Sequence, residues 1–519
     1  MAQRKKHPNG LIAAALANMG ERFGFYTMMA ILVLFLGAKF GLSESEAGLI
    51  YSTFYFGIYA LALIGGIVAD RTRKYKTTIL AGLVFMTIGY AILSIPTTIT
   101  LDNKTMMLIF TCFALFVIAF GNGLFKGNLQ ALVGQMYDRG DYTNKERDAG
   151  FTLFYMFINI GSMFAPFVAP VIREKWLNAH NFTYDAKLPE LCHRFMEGNI
   201  TPEQSAIFEQ LANKVSIGGL STSLGDFAAS YLDVFNTGFH YSFAVAIVTM
   251  LISLVIFITN KNKFPDPGQK VAKTGAQEAP VAEMDPAEVR QRIFALGAVM
   301  AVVIFFWFSF HQNGLTLTYF AKDFTFLPTI NIGSFSYSLA PENFQSLNPF
   351  FVVTLAPAVL AFFGFMAARG LNITTPMKIT IGMGLAAVGF LIMTLGSFDL
   401  PLLSEAKNMS PEELAPYLAS PWLLVGTYFV LTIAELFISP LGLSFVSQVA
   451  PPKLQGLMQG LWLLATGLGN QLLFIGAILY KNTALYITWA VFVIVCIISM
   501  FIMLSMVKWL NRVTGQSTK

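Results

Sequence analysis

Residues 260–292 read NKNKFPDPGQKVAKTGAQEAPVAEMDPAEVRQR. Pro, Ala, Gln and charged residues crowd out the large apolar ones, so this stretch can neither cross a bilayer nor build a core. On either side the chain has the opposite character. A hydrocarbon core about 30 Å thick takes about 20 helical residues to cross. Runs near or above that length precede the stretch at 13–38, 47–69, 77–97, 106–134, 151–171 and 238–259. Six more follow at 293–320, 350–368, 377–397, 422–448, 455–480 and 484–509. The polar stretch therefore divides twelve spans six and six, giving an N-terminal unit 1–259, a linker 260–292 and a C-terminal unit 293–519.

Composition agrees. Only 12% of the 519 residues are charged, against about 25% in an ordinary soluble protein, while 55% are hydrophobic. Such a chain has more apolar surface than a soluble fold has interior for, which excludes a soluble enzyme. A net charge of +5 is no signature of nucleic-acid binding here; the basic residues instead set orientation in the membrane. With the N-terminus cytoplasmic, 22 of the 34 Lys and Arg fall at inner ends, 10 at outer ends and 2 inside spans. Both termini are expected in the cytoplasm, in a multi-pass protein of the cell (inner) membrane. Arg4-Lys5-Lys6 before Leu11 could open a signal peptide, but the apolar run continues well past Glu21 and Arg22. Cys112 and Cys496 sit in apolar runs and Cys192 in a polar loop, so no disulfide framework is expected.

Two segments outside the bilayer carry helix starts. In the external loop 172–238, Thr201-Pro202-Glu203-Gln204 offers an N-cap, Pro at the first helical position and a Gln to complete a capping box. A small amphipathic cap is expected there. Asp285-Pro286-Ala287-Glu288 offers the same signal, so the seventh span should begin as a helix in the cytoplasm. Six plus six spans about a cytoplasmic linker form an all-α membrane protein with two six-helix, pseudo-symmetric bundles. That is the layout of a major-facilitator secondary transporter, whose halves rock about a midplane site. Gly65-Gly66-Ile67-Val68-Ala69-Asp70-Arg71, followed by Lys74 and Lys76, resembles the loop that this superfamily places after its second span.

A charge at the bilayer centre costs about 2.5 to 3.5 kcal/mol on insertion scales, so those retained usually face a cavity or a partner. Glu21 and Arg22 fall inside the first span, Lys126 in the fourth and Glu435 in the tenth, with His311 as a titratable group in the seventh. Two acids and two bases cancel, and pairing across a polar central cavity resolves their cost.

The sequence around them is more specific. Asn18-Met19-Gly20-Glu21-Arg22-Phe23-Gly24-Phe25-Tyr26 resembles the first-helix signature E-x-x-E-R-F-x-Y-Y of the proton-dependent oligopeptide transporter family. Gly121-Asn122-Gly123-Leu124-Phe125-Lys126 is similar to its fourth-helix lysine motif, and Phe154-Tyr155-Met156-Phe157-Ile158-Asn159-Ile160-Gly161-Ser162 to its fifth-helix signature. Leu347-Asn348-Pro349, Ala434-Glu435-Leu436-Phe437-Ile438-Ser439-Pro440 and Gly460-Leu461-Trp462 through Gly469-Asn470 resemble its eighth, tenth and eleventh helices. Six matches in register cover nearly the whole chain. Bacterial relatives often carry two extra helices between the halves, for which the linker here is too polar.

The resemblance implies an importer of di- and tripeptides by proton symport and alternating access, with a small peptide, protons and the lipid bilayer as its partners. It assigns Glu435 to the peptide's amino group, and Lys126 to its carboxylate or to coupling with Glu21. It gives hydrogen-bonding roles to Tyr26, Tyr59, Asn159, Asn348 and Ser439, and makes Trp307 and Trp462 walls of side-chain pockets. Proton coupling would fall to Glu21, Arg22, Lys126, His311 and Glu435. The residue types suit a zwitterion, which needs one fixed charge of each sign a few ångströms apart with polar walls between. Pro440 lies five residues after Glu435 and frees the carbonyl of Leu436, favouring a bend and a gate. The blander alternatives are an ion bridge between helices for the charged groups, and packing for the aromatic ones.

Three positions depart from the pattern. Asn18 stands for the signature's first Glu, Met29 for an arginine on the substrate side, and His311 for the seventh-helix Glu. Met29 and His311 read as a linked replacement that leaves no orphan charge. Asn18 and Arg22 share a helix face at i,i+4 spacing, so Arg22 has lost a nearby acid and should lean more on Glu21 or on another helix. His311 could take a proton itself, with an ordinary pKa near 6.5, or bind an anion when charged; its alternative is a neutral histidine hydrogen-bonded in the bundle.

Other classes compete: a transporter of another small zwitterion or anion (an amino acid, nitrate or an organic acid), a membrane nutrient sensor, and an enzyme. A sensor should carry a sizeable cytoplasmic domain, and these cytoplasmic segments are short. An intramembrane enzyme would need a nucleophile with its base or clustered metal ligands; the five histidines are scattered and no H-E-x-x-H occurs. No catalytic residue, metal or cofactor is expected.

Overall fold

The computed structural model describes residues 7–100, 102–138, 142, 144–265, 284–333, 335–371, 373–451 and 454–514. Linker residues 266–283 lie outside them. In the first half, α1 (Leu11–Phe40), α2 (Glu44–Thr72), α3 (Tyr75–Leu93), α4 (Lys104–Asp138) and α5 (Asn144–Ala179) lead to two short helices, α6 (Leu188–Met196) and α7 (Pro202–Val215), and then to α8 (Leu224–Thr259). In the second half, α9 (Pro286–Phe310), a 3-10 turn (His311–Gly314) and α10 (Thr316–Asp323) together make one crossing. A hairpin of β1 (Thr329–Ile332) and β2 (Phe335–Ser338), a 3-10 turn (Pro341–Ser346), α11 (Leu347–Ala368) and α12 (Thr375–Leu395) follow. Short helices α13 (Leu403–Ala406) and α14 (Pro411–Leu414) precede α15 (Pro421–Val449), α16 (Gln455–Gln471), α17 (Leu473–Asn482) and α18 (Leu485–Thr514). Twelve crossings among the described residues are long and apolar enough to span a membrane. The chain is an integral membrane protein.

Helix α1 is the spine of the first half. It packs on α5 and α8, while α3 packs on α4 and α8, and α2 on α4. Small residues on α1 permit close approach: a Cβ at Gly24 would lie 2.6 Å from the Thr249 hydroxyl and 2.9 Å from Met250 Cε of α8. Likewise a Cβ at Gly82 would meet the Gly121 carbonyl oxygen at 2.6 Å, so α3 and α4 touch backbone to backbone. In the second half α12 packs on α15 and α18, α9 on α16 and α18, and α11 on α15. The halves meet where α2 lies against α16 and α17, and α5 against α11.

Both helix-start signals begin a helix, but only the first closes its capping box. The Thr201 hydroxyl accepts the Gln204 amide at the head of α7, and Gln204 completes the capping box. The Asp285 side chain accepts the Ala287 amide and starts α9 before the apolar run, while Glu288 pairs with Arg292 instead of closing a box. Helices α6 and α7 form the cap, and their end of the molecule is called here the cap end; the linker leaves from the other.

Three features differ from the sequence expectation. Helix α8 begins at Leu224, not at 238, because Ser223 caps it and Phe227, Tyr231 and Phe235 continue a buried face onto the cap. Between the seventh and eighth crossings Thr329 pairs with Ser338 and Ile332 with Phe335 in an antiparallel hairpin. Its alternating β-branched and aromatic residues suit a strand, and Gly333 turns the chain at φ 60°. The seventh and eleventh crossings are also interrupted, at His311–Gly314 and at Leu472.

Candidate functional site

Both halves line one cavity at the centre of the molecule. Helical spacing aims the side chains. Asn18, Arg22 and Tyr26 of α1 recur every four residues and so share a face, as do Tyr55 and Tyr59 of α2 and Lys126 and Gln130 of α4. Tyr155, Asn159, Ser162 and Pro166 continue the wall along α5. The second half contributes Trp307 and His311, Gln345 and Asn348, Glu435 and Ser439 one turn apart on α15, and Trp462 and Thr466 on α16. All ten residues that the sequence nominates for substrate (Tyr26, Tyr59, Lys126, Asn159, Trp307, His311, Asn348, Glu435, Ser439 and Trp462) lie around this one space.

Charge is arranged unevenly in it. Arg22 clamps its neighbour Glu21 with two bonds, Nε to Oε2 at 2.5 Å and Nη2 to Oε1 at 2.7 Å. The same Oε1 accepts Asn122 Nδ2 at 2.7 Å, and Glu21 is wholly buried behind the cavity wall. The Arg22 guanidinium also lies 4.7 Å from the Phe25 ring centroid. Arg22 does lean on Glu21, and the two make a neutral doublet confined to α1.

Lys126 has no such partner. Its ammonium sits 4.1 Å from the centre of the Tyr59 ring, a cation over an aromatic face. Among the described residues it forms neither an ion pair nor a hydrogen bond. Glu435 faces the cavity from the other half, and its Oε2 accepts Asn348 Nδ2 at 2.7 Å. That amide also reaches Thr432 Oγ1 at 3.2 Å. Asn348 thus orients the carboxylate without neutralising it. One positive and one negative group, on opposite halves, face one cavity and stand apart from each other.

His311 sits where the seventh crossing breaks. Its Nδ1 is 2.5 Å from Asn470 Oδ1, beside the break in the eleventh crossing. With the amide oxygen toward the ring, Nδ1–H donates and Nε2 is the remaining acceptor. The ring stacks on Trp307, with centroids 4.9 Å apart and planes at 19°, and it lies 5.1 Å from Tyr55. Irregular backbone at membrane depth must have its polar groups satisfied internally. Gln312 does this: Nε2 donates to the carbonyls of Phe308 (3.2 Å) and Leu473 (3.4 Å), and Oε1 accepts from Thr316 (3.0 Å). The Tyr428 hydroxyl donates to the Asn313 carbonyl at 2.6 Å.

Two nominated positions lie elsewhere. Met29 is packed in the core of the first half, and Glu21 stands behind the wall rather than in it. Asn18 does face the cavity. Sequence reading missed Tyr55, Gln130, Asn313, Gln345 and Thr466 as cavity residues. Tyr55 and Gln130 lie one helical turn from Tyr59 and Lys126, a signal that was available; Asn313 and Gln345 sit in 3-10 turns, where helical spacing gives no guide.

At the cap end the halves are tied together. Arg173 of α5 pairs with Glu342 at 2.9 Å, with side chains only 2% and 0% exposed, and the Arg173 guanidinium stacks 3.9 Å from the Tyr184 ring centroid. Asn343 donates to the Pro166 carbonyl at 3.0 Å across the same seam.

A model of the POT family matches residues 76–284 and 269–488. The chain is 29% identical over 467 residues to dipeptide and tripeptide permease B of Salmonella typhimurium, covering 88% of this chain and 84% of the relative. It is 30% identical over 469 residues to the protein of that name in Photorhabdus asymbiotica, with the same coverage. Among solved structures it is similar to a peptide transporter POT in complex with sulfate, at a TM-score of 0.70 and 22% identity over 98% of this chain and 96% of that one. It is also similar to a POT family transporter in complex with 5-aminolevulinic acid, at a TM-score of 0.69 and 19% identity over 98% and 97%. These likenesses fix the major facilitator fold, and the family match spans most of the length, so the chain belongs to the POT family.

Proposed function

We propose that this protein imports di- and tripeptides by proton symport, alternating access of a central site between the two sides of the cell (inner) membrane. The observation that carries the proposal is the pair of unneutralised groups in one cavity, Lys126 from the first half and Glu435 from the second. A peptide zwitterion supplies the two missing partners: its carboxylate meets Lys126 and its amino group meets Glu435. Bound this way it bridges the halves, so loading favours their closing around it. Tyr26, Tyr59, Asn159, Asn348 and Ser439 offer backbone-directed hydrogen bonds, and Trp307 and Trp462 give apolar walls for variable side chains. Naming of relatives as dipeptide and tripeptide permeases supports the same reading.

Protons enter through groups whose charge is free to change with loading: Glu435, Lys126 and His311, with the Glu21–Arg22 doublet behind them. The halves are 1–259 and 293–519, joined by 260–292, with loop 172–238 outside. The excess of Lys and Arg at the linker end supports cytoplasmic termini. No catalytic residue, metal or cofactor is part of this reading.

A second reading, transport of another small zwitterion or anion, has one observation in its favour. Among the described residues, Lys126 is the single cation lining the cavity that is not already held by an acid, so a substrate carboxylate is gripped at one point. Uptake of a labelled dipeptide into proteoliposomes, competed by peptides, amino acids, nitrate and organic acids, decides between them. Peptides should compete and the others should not; no peptide competition refutes the proposal. Uptake that persists unchanged after the proton gradient is collapsed refutes symport.

A further inference from the structure

The cap and the segment that carries α13 and α14 lie outside the membrane crossings, one on each half, and they meet. Gln204 of α7 donates through Nε2 to Asn408 Oδ1 at 2.6 Å, and Gln210 Nε2 donates to Glu412 Oε1 at 2.9 Å. Lys407 is the node. Its ammonium pairs with Glu190 of α6 at 3.0 Å and with Glu44, at the head of α2, at 2.7 Å. Arg194 holds Glu190 from behind at 2.8 Å and also reaches Gln204 Oε1 at 3.3 Å, so the cap presents its polar edge as a braced unit. Apolar surfaces face each other alongside, Leu191, Ile207 and Leu211 from the cap against Leu403, Leu414 and Leu418. Beside these contacts lies a cavity whose wall mixes Glu44 and His193 of one half with Tyr319, Lys322 and Lys481 of the other.

We propose that the α6–α7 cap and the α13–α14 segment form a clasp between the halves, which holds the cap end shut in this conformer and must part each time that end opens. The inference rests on the alternating-access reading above, and it adds to it a second closure outside the membrane. The physics of the contacts suits a device that releases. The Lys407 and Glu190 side chains are 20% and 35% exposed, so water and salt screen their attraction and that pair is individually weak, while the Lys407–Glu44 pair, with Glu44 only 5% exposed, is the firmer of the two. Several such contacts hold jointly but break one at a time. The buried Arg173–Glu342 pair beneath them has no such access to water.

The test uses the full-length protein with its three native cysteines replaced. Gln204→Cys and Asn408→Cys together should form a disulfide on oxidation and lower dipeptide uptake at least about tenfold, with reductant restoring it and either single variant unaffected. A disulfide-bonded protein that transports at the reduced rate overturns the proposal, and so does a pair that never cross-links. A second measurement needs no substrate: spin labels at Glu209→Cys and Tyr417→Cys should report one short distance, to which Lys407→Gln with Gln210→Ala adds a longer population. An unchanged distribution overturns the clasp. Absence of peptide uptake by the unaltered protein, with the distance shift intact, refutes the transport reading alone.

Discussion

The central cavity and the cap end treat charge in opposite ways. At the cap end three carboxylates that bridge the halves have a cation: Glu342 has Arg173, and Glu44 and Glu190 share Lys407, while Glu412 takes the Gln210 amide. In the cavity Lys126 and Glu435 stand on opposite halves without ionic partners among the described residues. Paired charges across the seam stabilise one arrangement of the halves. Unpaired ones leave that work to a ligand. Removing a charge should therefore damage the fold or conformer at the cap end, and function alone in the centre.

The largest effect is expected at the buried pair. Arg173→Met leaves Glu342 desolvated without its cation, which should cost about 3 to 5 kcal/mol, whereas Arg173→Met with Glu342→Gln should recover most of it. Thermal unfolding in detergent reads both, and equal losses in the single and double variants would break the comparison. In the cavity, Lys126→Ala and Glu435→Gln should each lower dipeptide uptake by about 100-fold or more, close to 2.7 kcal/mol, with no fall in the unfolding midpoint. A destabilised Glu435→Gln protein would show that this acid has a structural partner after all. His311→Gln keeps a polar group beside Asn470 but loses a site that can take a proton. Uphill accumulation should drop about tenfold while peptide counterflow stays within about twofold; equal losses in the two assays would remove His311 from coupling.

The smallest effect belongs to the clasp. Glu190→Gln should shift the balance of cap-closed and cap-open forms by only about 0.2 to 1 kcal/mol, less at high salt. Its pH dependence has a definite sign. Burial works to raise the Glu190 pKa, and Lys407, with Lys322 and Arg194, outweighs it, so the carboxyl lies below its ordinary range. A depressed carboxyl stabilises the clasp above its unpaired pKa, and the contribution fades as pH falls through the lowered value. Acid at the cap end should lengthen the spin-label distance, and Glu190→Gln should flatten that response.

Much of this contrast could be read from the chain, and what could not has a physical reason. Apolar runs showed the twelve crossings because a bilayer demands uninterrupted apolar length, and Thr201-Pro202-Glu203-Gln204 located α7 because a helix start needs a cap. Helical spacing carried Tyr26, Lys126, Glu435 and their neighbours to one cavity. Pairing was less legible. Nothing local to Lys407 indicates that it meets Glu44 and Glu190, which lie hundreds of positions away, and Met29 is oriented into the core by packing that its neighbours in sequence do not reveal. The breaks fall at polar residues, His311-Gln312-Asn313-Gly314 and just after Asn470-Gln471, but a few polar residues within a long apolar run fit a continuous helix facing a cavity equally well. The early start of α8 depends on the cap beneath it, since the segment before 238 is too polar to read as a span.

The Glu21–Arg22 doublet has an electrical consequence. Both residues sit side by side on one helix and clamp each other, so they cross the membrane field together and their contributions cancel. With Lys126 and Glu435 ionised, the empty cavity also sums to zero, and a bound zwitterion leaves that sum unchanged. The return of the empty carrier should then be indifferent to membrane voltage. In the proposed symport a proton added on loading is the net charge that moves, and a potential of 100 mV would bias that step by about 2.3 kcal/mol.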